Sequence, residues 1–207
     1  MRTPTNGVAV GRLSHAALLF VNCLLLFASC APRRAGEFAG QVDGVVRGKS
    51  HSIVVEDELV DDTGMARLAD LTELRELTLR KTHVGDAGLA HLRKLVGLEK
   101  LVLGETTATD SALKSLAGLR RLKILNLESA DVTTAGFDEL TGLRRLELLR
   151  FGQSRIGDEA LAHVDRWPGL RSLMLQNAPI TDAGLAHLKE QDLGRLESLY
   201  LEGTEVT

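Results

Sequence analysis

Residues 71–94 read LTELRELTLRKTHVGDAGLAHLRK, and the four stretches that follow repeat the pattern. They begin at Leu95, Leu119, Leu143 and Trp167, so the starts at 71, 95, 119, 143 and 167 are 24 residues apart. The unit opened by Trp167 is two residues longer, and Leu193 opens another. A weaker copy lies upstream, where Val60 to Leu68 aligns with Val84 to Leu92. Counting back then sets Ile53 and Val55 under Leu77 and Leu79, so the array begins near residue 50. Each unit carries two periodicities. Leu77-Thr78-Leu79 alternates with period two, which predicts a short strand with one buried face. Asp86 to Leu92 spaces Leu89 and Leu92 three apart, which suits a short helix, and Thr or Asp at its start offers oxygen to free amides. A strand and a helix in 24 residues cannot bury their own apolar side. Stacked copies can, through one continuous leucine core.

The signature Leu74-x-x-Leu77-x-Leu79-x-x-Thr82-x-Val84 resembles the leucine-rich repeat. It recurs at Leu98/Leu101/Leu103, Leu122/Leu125/Leu127, Leu146/Leu149/Phe151, Leu170/Leu173/Leu175 and Leu196/Leu199/Leu201. The position that usually holds Asn carries Thr82, Thr106, Ala130, Ser154, Ala178 and Thr204. With helix starts of the form T-D-A-G-L, this resembles a bacterial subtype in which stability leans on leucine packing. The resemblance implies an α/β solenoid over residues 48–207: a right-handed arc with a concave parallel sheet and short convex helices. Glu205-Val206-Thr207 stops where another helix should begin, so the array is expected to be truncated at its C-terminal end.

Residues 1–29 give an address. Arg2 and Arg12 precede Ala16 to Ala28, an apolar run of 13 residues. A membrane span needs roughly 20, so the run predicts a signal peptide. Leu26-Phe27-Ala28-Ser29-Cys30 resembles the lipobox of bacterial lipoproteins, with Phe27 where Leu is usual. That resemblance implies cleavage before Cys30, lipidation of its thiol and a membrane anchor in the envelope; Ala31 in place of Asp resembles sorting to an outer membrane. The alternative is ordinary cleavage near Ser29 or Ala31 and a soluble exported protein. Loss of residues 1–29 would remove two arginines and no acid, taking the net charge from −3 to −5. Residues 30–47 then form a lipidated leader or N-terminal cap, and Pro32, Gly36, Gly40 and Gly44 predict mostly irregular backbone there.

The whole chain of 207 residues has 25 basic and 28 acidic side chains and an apolar share of 44%, ordinary for a globular protein. The balance lacks the basic excess of a nucleic-acid coat, and an aromatic share of 3% leaves few rings for base stacking. Two cysteines, one of them in the signal segment, set up no disulfide framework. His91, His163 and His187 share one helix position by duplication, with no ligand set around them for a metal. The Asp series 62, 86, 110, 158 and 182 reads as a capping ladder. No G-x-S-x-G frame and no phosphate loop occurs, so the sequence predicts no catalytic residue and no cofactor.

Binding remains. The strand positions flanking each buried leucine form columns: Glu76, Lys100, Ile124, Leu148, Ser172; then Thr78, Val102, Asn126, Arg150, Met174, Tyr200; then Arg80, Gly104, Glu128, Gly152, Gln176, Glu202. Val102, Ile124, Leu148, Met174 and Tyr200 make an apolar stripe around Arg150, a composition found at protein interfaces. Arg120, Arg121, Lys123, Arg144 and Arg145 form a basic edge that reads as a solvated rim. Two functions follow: an envelope-tethered, non-enzymatic module binding a protein ligand on the concave face, or a structural piece of a longer repeat protein whose binding face lies beyond Thr207.

Overall fold

A computed structural model describes residues 37–56, 59–189 and 195–207. The chain divides into two units, Met1–Pro32 and Arg33–Thr207, and every described residue belongs to the second. The signal segment and Cys30 lie outside the described residues.

Seven strands form one parallel sheet in sequential order: β1 (Ser52–Glu56), β2 (Glu76–Arg80), β3 (Lys100–Val102), β4 (Ile124–Asn126), β5 (Leu148–Arg150), β6 (Ser172–Met174) and β7 (Ser198–Tyr200). The register places Ile53 against Leu77, then Leu101, Leu125, Leu149, Leu173 and Leu199. The step is 24 residues until the last, which absorbs the two extra residues. Between strands run α2 (Asp62–Met65), α3 (Asp86–Leu89), α4 (Asp110–Leu116), α5 (Thr134–Glu139), α6 (Asp158–Leu161) and α7 (Asp182–Lys189), several continued by a 3-10 turn. The architecture is an α/β solenoid of leucine-rich repeats.

Its core is a set of columns. Leu77, Leu101, Leu125, Leu149 and Leu173 are fully buried, as are Leu79, Leu103, Leu127, Phe151 and Leu175. Val84, Ala108, Val132, Ile156 and Ile180 close the bend after each strand. Each fully buried leucine is worth about 1.5–3 kcal/mol, and parallel stacking lets every repeat share that burial with its neighbours. Leu196, Leu199 and Leu201, in the last described repeat, are only partly buried against this core.

Irregular backbone was expected across residues 31–47, and for 37–46 the structure corrects it. Glu37–Val46 is a ten-residue helix, α1. Phe38, Val42 and Val45 recur at helical spacing and are buried, while Gly40 and Gly44 sit on open sides. The apolar period outweighs the glycines' low helix propensity. From α1, Gln41 reaches β1 with both ends of its amide. Its Nε2 donates to the Val54 carbonyl at 2.7 Å, and its Oε1 accepts from the Val54 N–H at 2.6 Å. The side chain thus does at the sheet edge what another strand would do. Gln41→Ala is expected to cost about 1–3 kcal/mol by leaving both groups unpaired. Chemical denaturation checks the loss, and hydrogen exchange should localise it to Val54.

The helix starts also differ from expectation. Thr109, Thr133 and Thr181 cap their own helices, each hydroxyl accepting an N–H two residues on at 3.2–3.3 Å. The aspartates at the first helical position do something else. Asp86, Asp110 and Asp158 reach forward into the next repeat, where each accepts a threonine N–H at 2.8 Å and the same threonine's hydroxyl at 2.6 Å. Asp182 holds Thr207 in the same way. One hydroxyl therefore donates to a carboxylate and accepts from a helix amide, tying repeat to repeat through the cap. Among the described residues, only Asp61 acts as a simple acidic cap, taking the N–H groups of Thr63 and Gly64. A Cβ on Gly136 or Gly184 would overlap the carboxylate of Asp110 or Asp158, which is why glycine stands in that position of T-D-A-G-L.

The strand exits share one more feature. Lys81, Glu105, Ser129, Gln153 and Asn177 all have φ between 52 and 59°, and Gly203 follows at 73°. Five non-glycine residues accept a left-handed turn because each N–H then meets a carbonyl of the next repeat, as Gln153 meets Gln176 at 2.8 Å.

Candidate protein-binding face

The sheet turns three columns of side chains away from the core. Register sets Ile124 beside Leu148, and sets Arg150, Met174 and Tyr200 in line on β5, β6 and β7. Val102 lies on β3 between Thr78 and Asn126. Neighbouring parallel strands sit about 4.8 Å apart, so side chains in one column shield each other. The middle column is accordingly the most covered: Thr78, Val102, Asn126 and Met174 are all less than 8% exposed. Ile124, Leu148, Arg150 and Tyr200 are half-buried and available. Of the six residues expected to contact a partner, these four present surface, while Val102 and Met174 pack beneath it.

Polar groups frame them. Arg150 Nη2 donates to Glu128 Oε1 of the preceding repeat at 2.5 Å, and both side chains are about one-fifth exposed. Asn126 Oδ1 accepts the Glu128 N–H at 2.8 Å, holding the turn that presents the glutamate. Gly104 and Gly152 leave alternate rungs of the third column without side chains, so Glu128 stands alone beside the strand row. On an adjacent turn Arg80 pairs with Glu105. Sequence reasoning placed Glu128 in its column but missed its role, because the partner lies diagonally, one repeat on and one column over.

It also missed a row just before the strands. Arg75, Glu99, Lys123, Glu147, Arg171 and Glu197 alternate in sign, one per repeat, joined by backbone hydrogen bonds from each N–H to the preceding carbonyl. Lys123 Nζ lies 2.6 Å from Glu99, and Arg171 Nη1 lies 2.6 Å from Glu197. The hydrogen bond and charge of Lys123 hold the Glu99 carboxyl below its ordinary range, with Arg121 and Arg75 adding to the effect. The alternation was legible at a period of 24.

On the helical side, His163 Nδ1 meets Asp138 Oδ1 at 2.5 Å, while His91 and His187 stand one per repeat on the same row. No group of three or more His, Cys, Asp or Glu side chains gathers as a metal site among the described residues. No helix among them is long and apolar enough to cross a membrane.

No protein-family model matches this chain, and no curated protein does either. Solved structures do. An internalin (inlF) from Listeria monocytogenes aligns with a TM-score of 0.65 at 22% identity, over 80% of this chain and 45% of that one. Internalin C2 from the same organism aligns with a TM-score of 0.55 at 21% identity, over 83% of this chain and 85% of its own. A TDR receptor aligns with a TM-score of 0.53 at 15% identity, over 80% of this chain and 28% of the receptor. The chain thus spans less than half of the internalin (inlF) it matches. The shared property is the leucine-rich repeat fold.

Proposed function

We propose that the chain is a non-enzymatic protein-binding module that uses the outward face of its sheet and is held at the cell envelope by a lipid on Cys30. One observation carries the binding reading. The half-buried apolar step Ile124–Leu148 lies beside an Arg150–Glu128 pair fixed by its own hydrogen bonds. A preformed charged pair around an apolar patch costs little ordering on association and matches the anatomy of interface hot spots. The internalins and the receptor that share the fold support the reading by likeness of architecture. In this reading residues 1–29 are removed, 30–47 form a leader, and 48–207 carry the repeats.

Leu148→Asp combined with Tyr200→Ala tests the face, since both residues are half-buried and neither fills the core. The partner is first captured from an envelope extract on the parent chain. The double variant should then bind it at least tenfold more weakly, as expected for loss of about 1.4 kcal/mol or more. Equal binding would place the contact elsewhere. The anchor is tested by the intact mass of the natural chain recovered from membranes: a mass that starts at Cys30 and carries acyl groups supports it, and any other start removes it.

A further inference from the structure

A second surface lies on the loops that lead from helix to strand. Each loop has the frame anchor-x-x-anchor. Leu95 and Leu98, Leu119 and Leu122, and Leu143 and Leu146 are fully buried, and Trp167 and Leu170 nearly so. Equivalent backbone hydrogen bonds, Arg120 N to Gly118 O and Arg144 N to Gly142 O, fix the same turn in adjacent repeats. The two residues between the anchors sit on a rim: the first is exposed in each of these four loops, and the second is exposed in the two arginine loops. In order along the solenoid they are Val96-Gly97, Arg120-Arg121, Arg144-Arg145 and Pro168-Gly169.

All four arginines are exposed. Among the described residues Arg120, Arg144 and Arg145 form no side-chain hydrogen bond or ion pair, and Arg121 acts on Glu99 only through its charge. Adjacent rungs lie about 5 Å apart, so four like charges are packed into two rungs. The fold has no need of this arrangement, because the neighbouring row alternates sign at the same spacing. Val96 is one of three large apolar side chains strongly exposed among the described residues, at 58%, and it sits one rung before Arg120. Pro168 is exposed one rung after Arg144. The rim therefore runs apolar, cationic, cationic, apolar.

We propose that the rim formed by Val96, Arg120, Arg121, Arg144, Arg145 and Pro168 docks on an anionic lipid bilayer. Guanidinium groups pair with headgroup phosphates in a fork geometry. Val96 and Pro168 meet the apolar boundary below the headgroups, a contact that a soluble polyanion would not offer. The inference stands apart from the sheet face and from the proposed lipid on Cys30, both of which it leaves unchanged.

The test is vesicle flotation of the full chain. Vesicles of phosphatidylcholine alone are compared with vesicles that also contain phosphatidylglycerol. The N-terminal apolar run is common to parent and variants, so differences between them report the rim. The parent should prefer the anionic vesicles and lose that preference in high salt. Substituting Ser at all four arginines should weaken the partition on the order of a hundredfold, from a few-fold per arginine. Lys at the same four positions should retain most of the preference, and Val96→Ser should lower it a few-fold. Thermal melts of the variants check that the exposed changes leave the fold intact. Equal flotation of the parent and the Ser variant overturns the proposal. So does indifference to Val96→Ser together with equally tight binding to inorganic polyphosphate, which would make the rim a site for soluble polyanions.

Discussion

Trp167→Ala is expected to destabilise the chain by about 3–5 kcal/mol, the usual cost of truncating a large buried aromatic side chain. Trp167 is 2% exposed and fills the column that Leu95, Leu119 and Leu143 occupy in earlier repeats. Its indole meets Phe137 edge-on with ring centroids 4.7 Å apart, and Phe137 lies 5.2 Å from Phe151. Three rings from three successive repeats are thus locked together. Indole Nε1 also donates to the Leu140 carbonyl at 3.1 Å. Alanine leaves a cavity and removes the indole's hydrogen bond, while the Leu140 carbonyl keeps the Leu143 N–H at 2.9 Å, so the cavity dominates the loss. Because repeats are stable only through their neighbours, the lesion should also split the unfolding transition and release the C-terminal repeats first. Circular dichroism against denaturant is the measurement, since the only tryptophan is lost in the variant. Trp167→Leu restores the residue type of the column and should cost less than half as much. A loss below about 1 kcal/mol for the alanine variant would mean the rings pack without mutual support.

The fold was legible because its information is periodic. Ile53 aligns with Leu77 by counting alone, and the sheet register agrees. What escaped was whatever depends on a partner at another offset. Gln41 pairs with Val54 across a single turn of chain that belongs to no repeat. Glu128 meets Arg150 diagonally. The burial of Val102 and Met174 follows from neighbours in the same column, whereas alternation within one strand only says that they face away from the leucines. The alternating row from Arg75 to Glu197 was present in the letters and needed only to be read down the repeats. The T-D-A-G-L pattern identified a helix start correctly, yet a one-dimensional reading assigns its aspartate to its own helix, when the carboxylate belongs to the next.

That assignment makes Asp110 the second position of large effect. Its carboxylate accepts two hydrogen bonds from Thr133, one from the backbone and one from the hydroxyl. Asp110→Ala removes both and leaves the Thr133 N–H without its partner. Charged hydrogen bonds are worth about 1.5–3 kcal/mol each and are not additive, so a total of about 2–4 kcal/mol is expected. The chain itself contains the compensating pair. Where the aspartate is replaced by Thr134, the next cap is Gly157, whose N–H reaches the Thr134 hydroxyl at 3.4 Å. The double variant Asp110→Thr with Thr133→Gly copies that rung and should recover about half of the loss by denaturant titration, whereas each single change should not. If the double variant is as unstable as the sum of its parts, the two residues do not act as a rung. A pH series gives an independent reading at Asp158. Burial raises its carboxyl, but the hydroxyl and N–H of Thr181, the Gly184 N–H and the charge of His187 together bring it below its ordinary value of 3.8. A carboxyl lowered on folding stabilises above that ordinary value and loses its contribution as pH falls through the folded one. Asp158→Asn should therefore flatten the decline of unfolding free energy in acid as well as lower its value at neutral pH. A variant that weakens the protein equally at every pH would show that the rung depends on shape and not on charge.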